Sequence, residues 1–188
     1  MRLLLATRNA HKLREFGRLL PDVRLDPLPD AAETPPEDGE TYAANALIKA
    51  RAAAAATGRE AIADDSGIEA AALGGRPGVR SARFAGPDAT DGGNLAKLAA
   101  EAAPGTGLRY VCVIAHVTPA GEEHLFEGSC EGTVAAEQGG EGGFGYDPLF
   151  VPGEGDGRTM AELSDAEKDA VSHRGRAARE LARWLTRR

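Results

Sequence analysis

The sequence is poor in cysteine and in long apolar runs. Its two cysteines, Cys112 and Cys130, are too few for a disulfide framework and lack the CxxC spacing of a zinc site. No run approaches the roughly 20 apolar residues that span a bilayer. The run at 3–6 is also too short for the core of a secretory signal. The sequence therefore predicts a cytoplasmic protein that does not act at a membrane.

Positive charge is also scarce. The 188 residues carry 29 Asp and Glu against 22 Lys and Arg, which gives a formal net charge of -7. Proteins that bind nucleic acid regardless of sequence usually have the opposite balance, so that class is disfavoured. Only four of the bases are lysines, and the stretch from Arg174 to Arg188 holds six arginines and one acid. A basic terminal segment thus follows an acidic body.

The apolar pattern mixes two periods. The length fits one domain, or one domain with two lobes. Apolar runs typical of buried strands predict strands near 2–6, 23–25, 61–63 and 108–117, with a further strand returning after a turn at 119–121. Helical spacing predicts helices near 12–20, 42–57 and 94–103, after Ser164 and at the C-terminus. The mixture predicts an α/β fold with a mixed sheet. His116 and His124 flank the predicted turn, and we expect both imidazoles to face solvent.

One polar segment lies between a predicted strand and a predicted helix. Free backbone N–H groups and the helix dipole at such a junction favour an anion, typically phosphate. A simple loop capped by its asparagine would explain the same residues without a function. The segment consists of Thr7, Arg8, Asn9, Ala10, His11 and Lys12.

Two adjacent carboxylates, Asp64 and Asp65, follow the apolar run 61–63. Carboxylates at the end of a buried strand are costly without a cation, and α/β proteins bind ligands at such strand ends. Mg²⁺ suits them, because it takes oxygen ligands and keeps waters for substrate phosphates. An Asp-rich turn, with Gly67 allowing a sharp bend, is the structural alternative. The acids from Glu37 to Glu40 offer a second metal ligand, or they only favour the dipole of the following helix.

Two later segments suggest binding of a base. The stretch 140–145 has the form GxGxxG, but no helical pattern follows, so a dinucleotide fingerprint is not indicated. We expect a glycine-rich loop that exposes Phe144 and Tyr146 for stacking on a nucleobase, or a loop anchored by those aromatics. Lys168 and the run 172–176 cluster donors that could bind oxygen acceptors, or they form a solvated helix face.

Six segments, in this order, resemble the inosine/xanthosine triphosphate pyrophosphatase family. The resemblance extends from residue 3 to about 185 and implies Mg²⁺-dependent hydrolysis of ITP, dITP and XTP to the monophosphate and pyrophosphate, with cleavage at the α-phosphorus. The segments are Thr7-x-Asn9-x-x-Lys12, Asn45-Ala46-x-x-Lys49-Ala50, Ala63-Asp64-Asp65-Ser66-Gly67, Ala72-Leu73-Gly74-Gly75-Arg76-Pro77-Gly78, Gly143-Phe144-Gly145-Tyr146-Asp147-Pro148 and Ser172-His173-Arg174-Gly175.

The resemblance also implies an architecture and partners. It implies one nucleoside triphosphate pyrophosphatase domain over residues 1–188, two-lobed, with a long mixed β-sheet flanked by helices and the active site in the cleft between the lobes. It further implies a cytoplasmic homodimer whose small-molecule partner is the nucleoside triphosphate, without nucleic acid or membrane.

Residue roles follow from the same resemblance. Asp65 is implied to be the catalytic carboxylate and a metal ligand, and Glu37 the second metal ligand. The loop 7–12 would wrap the phosphates, although Arg8 stands where the family often has glycine and could add a phosphate contact. The other residues implied to bind substrate are Lys49, Ser66, Phe144, Gly145, Tyr146, Asp147, Lys168, His173 and Arg174.

Three other functions remain as alternatives. A related pyrophosphatase could prefer pyrimidine or methylated nucleotides, and a substrate panel would separate it. A non-catalytic nucleotide-binding module would bind ITP without turnover, although the intact Asp65 and Glu37 speak against it. A phosphatase of the haloacid dehalogenase type would need Asp-x-Asp spacing, which the adjacent Asp64 and Asp65 lack.

Overall fold

A computed structural model describes residues 1–188 and contains one six-stranded mixed sheet in the order β2-β1-β3-β4-β5-β6. β1 runs parallel to both β2 and β3, whereas β5 and β6 are antiparallel. The predicted α/β class with a mixed sheet is therefore confirmed. The strands are β1 (Arg2–Leu5), β2 (Arg24–Pro27), β3 (Ala61–Ala70), β4 (Gly107–Val117), β5 (Glu123–Val134) and β6 (Phe150–Pro152).

The helices begin and end at the residues that their caps indicate. Thr41 caps the second helix by accepting a hydrogen bond from the N–H of Ala44, and Gly58 ends it with a φ of 65°. Ser164 and Glu167 form a capping box at the start of the helix predicted after Ser164. None of the helices combines the length and the apolar character needed to cross a membrane. The α-helices are α1 (Ala10–Leu19), α2 (Tyr42–Thr57), α3 (Asp91–Glu101), α4 (Asp165–Val171) and α5 (His173–Leu185).

β3 is longer than the sequence predicts. The predicted strand ended at residue 63, but the structure continues it to Ala70. The Asp-rich turn, which was the structural alternative for Asp64 to Gly67, is therefore wrong. The turn-forming tendency of Asp, Ser and Gly is overridden here because strand pairing and buried side-chain partners hold the segment extended. Successive side chains of a strand point to opposite faces, so Asp64 and Asp65 project to different sides of the sheet.

The two histidines beside the β4–β5 turn do not both face solvent. His116 is 0% exposed, and its Nε2 lies 3.0 Å from Oε2 of Glu60. Burial lowers the pKa of His116, and the contact with Glu60 offsets part of that shift. Trp184 packs against both imidazoles, with ring centroids 5.0 Å from His116 and 4.3 Å from His124. The exposed position predicted for His116 is wrong, because α5 covers this part of the sheet.

The chain divides into two compact units, as the two-lobed prediction expects. The first contains Met1–Asp65, Cys112–Gly128 and Arg176–Arg188, and the second contains Ser66–Val111 and Ser129–Gly175. Each unit has its own apolar core: Phe16 and Leu181 belong to one in the first unit, and Phe150 belongs to that of the second. The division falls within β3, directly after Asp65.

The core of the first unit yields a stability prediction. Phe16 is fully buried, so Phe16→Ala should lower the free energy of unfolding by about 3–5 kcal/mol, through lost burial and a residual cavity. Leu125 is 47% exposed, and Leu125→Ala should change it by no more than about 0.5 kcal/mol. Urea unfolding of both variants measures the difference, and equal losses would contradict this view of the core.

Candidate active site

The loop 7–12 connects β1 to α1 and is stabilised by its own side chains. Asn9 is the N-cap of α1, and its Oδ1 accepts hydrogen bonds from the N–H groups of His11 (2.9 Å) and Lys12 (3.2 Å). Thr7 Oγ1 accepts a hydrogen bond from the N–H of Asn9 at 3.2 Å. The cap predicted at Asn9 is therefore confirmed. All six residues are exposed or half-buried, so an anion has access to them, and phosphate binding stays a prediction.

Lys12 is tied to a buried carboxylate. Its Nζ lies 3.0 Å from Oδ2 of Asp64, whose side chain is completely buried. The Sγ of Cys112 lies 3.8 Å from the same oxygen. Because Asp64 is held inside strand β3, its carboxylate restrains the Lys12 ammonium on the first turn of α1.

Asp65, whose side chain lies on the opposite face of the sheet from that of Asp64, is held by a buried amide. Nδ2 of Asn45 on α2 donates to Oδ2 of Asp65 at 3.0 Å, and Oδ1 of Asn45 accepts from the N–H of Gly39 at 2.8 Å. A Cβ at Gly39 would lie 2.7 Å from that same Oδ1, so only glycine fits here without displacement. Asn45 thereby links the acidic loop at 37–40 to the catalytic candidate.

Lys49 brings a second cation to Asp65. One turn after Asn45 on α2, its Nζ lies 3.1 Å from Oε1 of Glu37. Burial raises the pKa of Asp65, and the charges of Lys49 and Lys12 together with the hydrogen bond from Asn45 oppose that shift. The nearby charge of Glu37 raises the pKa of Asp65 further. The predicted residues Lys12, Glu37, Lys49 and Asp65 thus lie close enough to interact.

Glu37 and Asp65 have the donor chemistry of a magnesium site. Both offer carboxylate oxygens. Burial is the main cause of the raised pKa of Asp65 and the charge of Glu37 adds to it, and a bound cation would relieve both. No group of three or more His, Cys, Asp or Glu side chains is arranged to hold a metal. Mg²⁺ commonly uses one or two carboxylates and completes its shell with water and phosphate. The residues present therefore fit Mg²⁺ better than a metal that needs a full protein cage.

Arg8 has a structural contact that the sequence did not reveal. Its guanidinium extends along the loop 29–34 and donates hydrogen bonds to it. These hydrogen bonds stabilise the segment that leads to Glu37. The predicted contact with phosphate stays a prediction. The groups that accept from Arg8 are the carbonyl oxygens of Pro29 (3.2 Å), Asp30 (3.3 Å) and Ala32 (2.8 Å) and the hydroxyl of Thr34 (3.3 Å).

In the second unit, Asp147 is the centre of a buried hydrogen-bond network. Its Oδ2 accepts from Nζ of Lys168 at 2.7 Å and from the N–H of Phe144 at 2.9 Å. Its Oδ1 accepts from the hydroxyl of Tyr110 at 3.1 Å. Gly143 has a φ of 68°, and a Cβ there would overlap Oδ2 of Asp147, so two constraints require glycine at this position. The network holds the glycine-rich loop against α4.

Two cations lie over the ring of Phe144. The Nζ of Lys168 is 5.1 Å from the ring centroid, and the guanidinium carbon of Arg174 is 5.6 Å away. Arg174 is only 2% exposed, and its Nη2 donates to Oγ of Ser66 at 2.9 Å. The alternative of a solvated helix face is therefore wrong for Arg174. Phe144 is half-buried.

His173 and Gly145 have partners within the same unit. The ring of His173 is stacked on that of Tyr110, with centroids 4.4 Å apart and planes inclined by 7°. The N–H of Gly145 donates to Oδ2 of Asp91 at 3.1 Å, which ties the glycine-rich loop to the start of α3. Both predicted substrate residues are thus fixed by neighbours before any ligand binds.

Tyr146 does not have the exposed position that the sequence predicted. The side chain is 5% exposed, and its hydroxyl donates to the carbonyl oxygen of Ser81 at 2.7 Å. The prediction of an exposed stacking ring is therefore wrong for Tyr146, because its ring completes the apolar core of the second unit. Of the two aromatic residues in this loop, Phe144 is the less buried.

Two residues of these networks were missed as site residues. Asn45 entered the sequence analysis only as part of the segment Asn45-Ala46-x-x-Lys49-Ala50, although a fully buried asparagine on a helix needs partners, and Asp65 is one. Tyr110 lies in a strand that reads as continuously apolar, so its polar contact with Asp147 gives no signal in the sequence. A buried tyrosine hydroxyl usually finds an acceptor, which is the one general clue available.

Comparisons with known proteins show the family of this chain. A sequence model of the Ham1 family matches residues 3–184. The chain is 50% identical over 194 residues to the dITP/XTP pyrophosphatase of Symbiobacterium thermophilum, which covers 99% of this chain and 94% of that protein. The HAM1 protein from Coxiella burnetii has a similar structure, with a TM-score of 0.89, 40% identity and full coverage of both chains.

A second solved structure extends the similarity. The nucleoside-triphosphatase / dITP/XTP pyrophosphatase from Mycobacterium abscessus has a TM-score of 0.72 at 45% identity, and the match covers 96% of this chain and 98% of that one. The resemblance inferred from six short segments is thus confirmed over the whole length. From the match to its model and the identity to its members, the chain belongs to the Ham1 family.

Proposed function

We propose that this chain hydrolyses deaminated purine nucleoside triphosphates, such as ITP, dITP and XTP, to the monophosphate and pyrophosphate with Mg²⁺ as cofactor. The observation that carries the proposal is the position of Asp65, which Asn45 holds while Lys12 and Lys49 act on its charge. The name of a relative at 50% identity, dITP/XTP pyrophosphatase, supports the same activity.

The lysines of the first unit supply charge for a triphosphate. An ammonium has three N–H donors, so contact with one carboxylate does not exhaust it. Asp64 and Glu37 keep the two ammonium groups in place, and phosphate oxygens can then meet them with little rearrangement. Preorganised cations of this kind stabilise negative charge that grows on the leaving pyrophosphate.

The two carboxylates have separate tasks in this proposal. Glu37 and Asp65 would hold Mg²⁺, which when bound neutralises charge on the phosphate oxygens and makes the phosphorus more electrophilic. Asp65 also orients the attacking water and accepts its proton, since its Oδ2 is fixed by Asn45. The hydrogen bond from Asn45 therefore determines the direction from which the water is presented.

The base would be held by residues of the second unit. Phe144 is half-buried and offers a ring for stacking, and Arg174 and Lys168 lie near that ring with N–H donors that suit the 6-oxo group of hypoxanthine or xanthine. Adenine carries an amino group at this position, which would leave buried donors unpaired. Mismatches of that kind reduce kcat/KM by roughly 10⁴-fold or more.

An assay of the products tests the function. Wild-type protein with ITP and Mg²⁺ should release IMP and pyrophosphate. IMP is detected by chromatography, and pyrophosphate by an assay without added pyrophosphatase. Asp65→Asn should reduce turnover by roughly 10²- to 10⁴-fold, because the proton acceptor is lost. Release of orthophosphate would refute cleavage at the α-phosphorus, and ITP binding without turnover by wild-type protein would favour the non-catalytic module.

The acidic loop offers a matched pair of variants for the metal. Glu37→Gln should raise the Mg²⁺ concentration needed for half-maximal activity by roughly tenfold or more, because one charged oxygen ligand is lost. Glu40, three residues further on and exposed, should tolerate the same change with no shift. Activity measured against a Mg²⁺ titration compares them. An equal shift in both variants would point to general charge and would remove Glu37 as a ligand.

Arg174 should control the choice of base. Arg174→Lys keeps the charge but loses the planar set of donors, so the ratio of kcat/KM for ITP to that for ATP should fall by roughly 10- to 100-fold. Arg183 lies exposed on the same helix, where it pairs with Glu180, and Arg183→Lys is the control. Melting curves should accompany the kinetics. An unchanged ratio in folded Arg174→Lys protein would assign base recognition to other donors.

A further inference from the structure

Tyr110 contacts two members of the proposed base-binding set at once. It lies on β4 and is buried, and its hydroxyl donates to Oδ1 of Asp147 at 3.1 Å. Its ring lies parallel to that of His173 at 4.4 Å between centroids. A single side chain from the sheet therefore reaches both the glycine-rich loop and the first residue of α5.

The hydroxyl determines how the Asp147 carboxylate is oriented. The other carboxylate oxygen accepts from Nζ of Lys168 and from the N–H of Phe144, so donors from three parts of the second unit converge on one group. With partners on both oxygens, rotation of the carboxylate breaks at least one hydrogen bond. The positions of Lys168 and Phe144 relative to each other are thus fixed by the Asp147 carboxylate, which Tyr110 restrains.

The ring has a separate effect through His173. A parallel stack fixes the plane of the imidazole, and with it the directions in which its two nitrogens can bind. The Tyr110 ring is itself restrained by Phe150, whose centroid is 4.6 Å away in the core of the second unit. The orientation of His173 is therefore set by the core.

We propose that Tyr110 is a positioning residue for base recognition, which fixes Lys168 and Phe144 through Asp147 and fixes His173 by stacking. The inference rests on the proposed function, because it assigns a role to a neighbour of the proposed base site. Tyr110 does not need to touch the nucleotide. It determines how closely the groups that do so match the base.

The environment of Tyr110 and Asp147 keeps the Tyr110 hydroxyl as a hydrogen-bond donor. Burial and the charge of Asp147 raise the pKa of Tyr110 well above its ordinary value, so the hydroxyl keeps its proton at any physiological pH. Asp147 is itself only 3% exposed, so water cannot readily replace the phenol. Loss of the hydroxyl would leave one carboxylate oxygen under-bonded, and the carboxylate would turn to share its remaining donors.

Tyr110→Phe isolates the hydroxyl, because phenylalanine keeps the ring that packs on His173 and Phe150. Binding of IMP, which carries the base, and of pyrophosphate, which does not, is measured by titration calorimetry with Mg²⁺. We expect IMP to bind about tenfold more weakly, as fits the loss of a hydrogen bond to a charged group, and pyrophosphate binding to stay the same. For ITP hydrolysis, KM should rise by a similar factor with little change in kcat.

A matched control separates positioning from lost stability. Thr159 is also buried in the second unit, and its hydroxyl donates to the carbonyl oxygen of Gly139 at 2.8 Å. Thr159→Val removes a buried hydroxyl as well, and it should leave IMP affinity unchanged even if the melting temperature falls. Tyr110→Leu, which also removes the stacking ring, should weaken IMP binding more than Tyr110→Phe does.

The possible results distinguish the positioning role of Tyr110 from the proposed hydrolysis of ITP. Unchanged IMP affinity in Tyr110→Phe, or equal weakening of IMP and pyrophosphate, would overturn the positioning role while an active wild-type protein upholds the function. Weaker IMP binding in Thr159→Val as well would reduce the effect to stability and also overturn it. Wild-type protein that neither hydrolyses ITP nor binds IMP would refute the proposed function, and the role of Tyr110 in base recognition with it.

Discussion

Buried carboxylates are the constraint on which the arrangement of this protein depends. A carboxylate removed from water is costly unless cations or hydrogen-bond donors surround it. Asp64 and Asp65 stand side by side in β3 and meet this need on different faces of the sheet, with Lys12 of α1 at one and Asn45 of α2 at the other. The demand of two acids for partners therefore positions the cation and the amide that the proposed triphosphate site uses.

The second unit also contains a buried carboxylate, Asp147, which is stabilised by different donors. Asp147 takes an ammonium, a phenol and a backbone N–H, and the backbone donor can approach only because residue 143 is a glycine. Gly39 plays a comparable part beside Asn45 in the first unit. Close approach of backbone to a polar side chain thus explains two of the glycines by geometry. In both units the acid is satisfied before a ligand arrives, which favours rigid, preorganised groups.

The sequence predicted the parts that depend on local chemistry. The helices predicted at 42–57 and after Ser164 were found, and Thr41, Gly58 and Ser164 mark their ends by capping, a local effect. The extension of β3 through Asp65 was not predictable, because the turn-forming preference of its residues is overcome by partners distant in sequence. The burial of Tyr146 and the contacts of Tyr110 likewise depend on tertiary packing, which periodicity does not encode. The candidate site residues were predicted through their chemical type and order, whereas the residues that contact and restrain them were not.

The scarcity of lysine acquires a physical meaning in this setting. Lys12, Lys49 and Lys168 are three of only four lysines, and each has its Nζ within 3.1 Å of a carboxylate oxygen. An ammonium held in this way cannot swing freely, so little side-chain entropy remains to be lost when an anion binds. The same pairing places each of these three ammonium groups beside a negative charge, in a chain whose formal net charge is -7. The acids that make the chain negative are therefore also the groups that keep its few lysines in position.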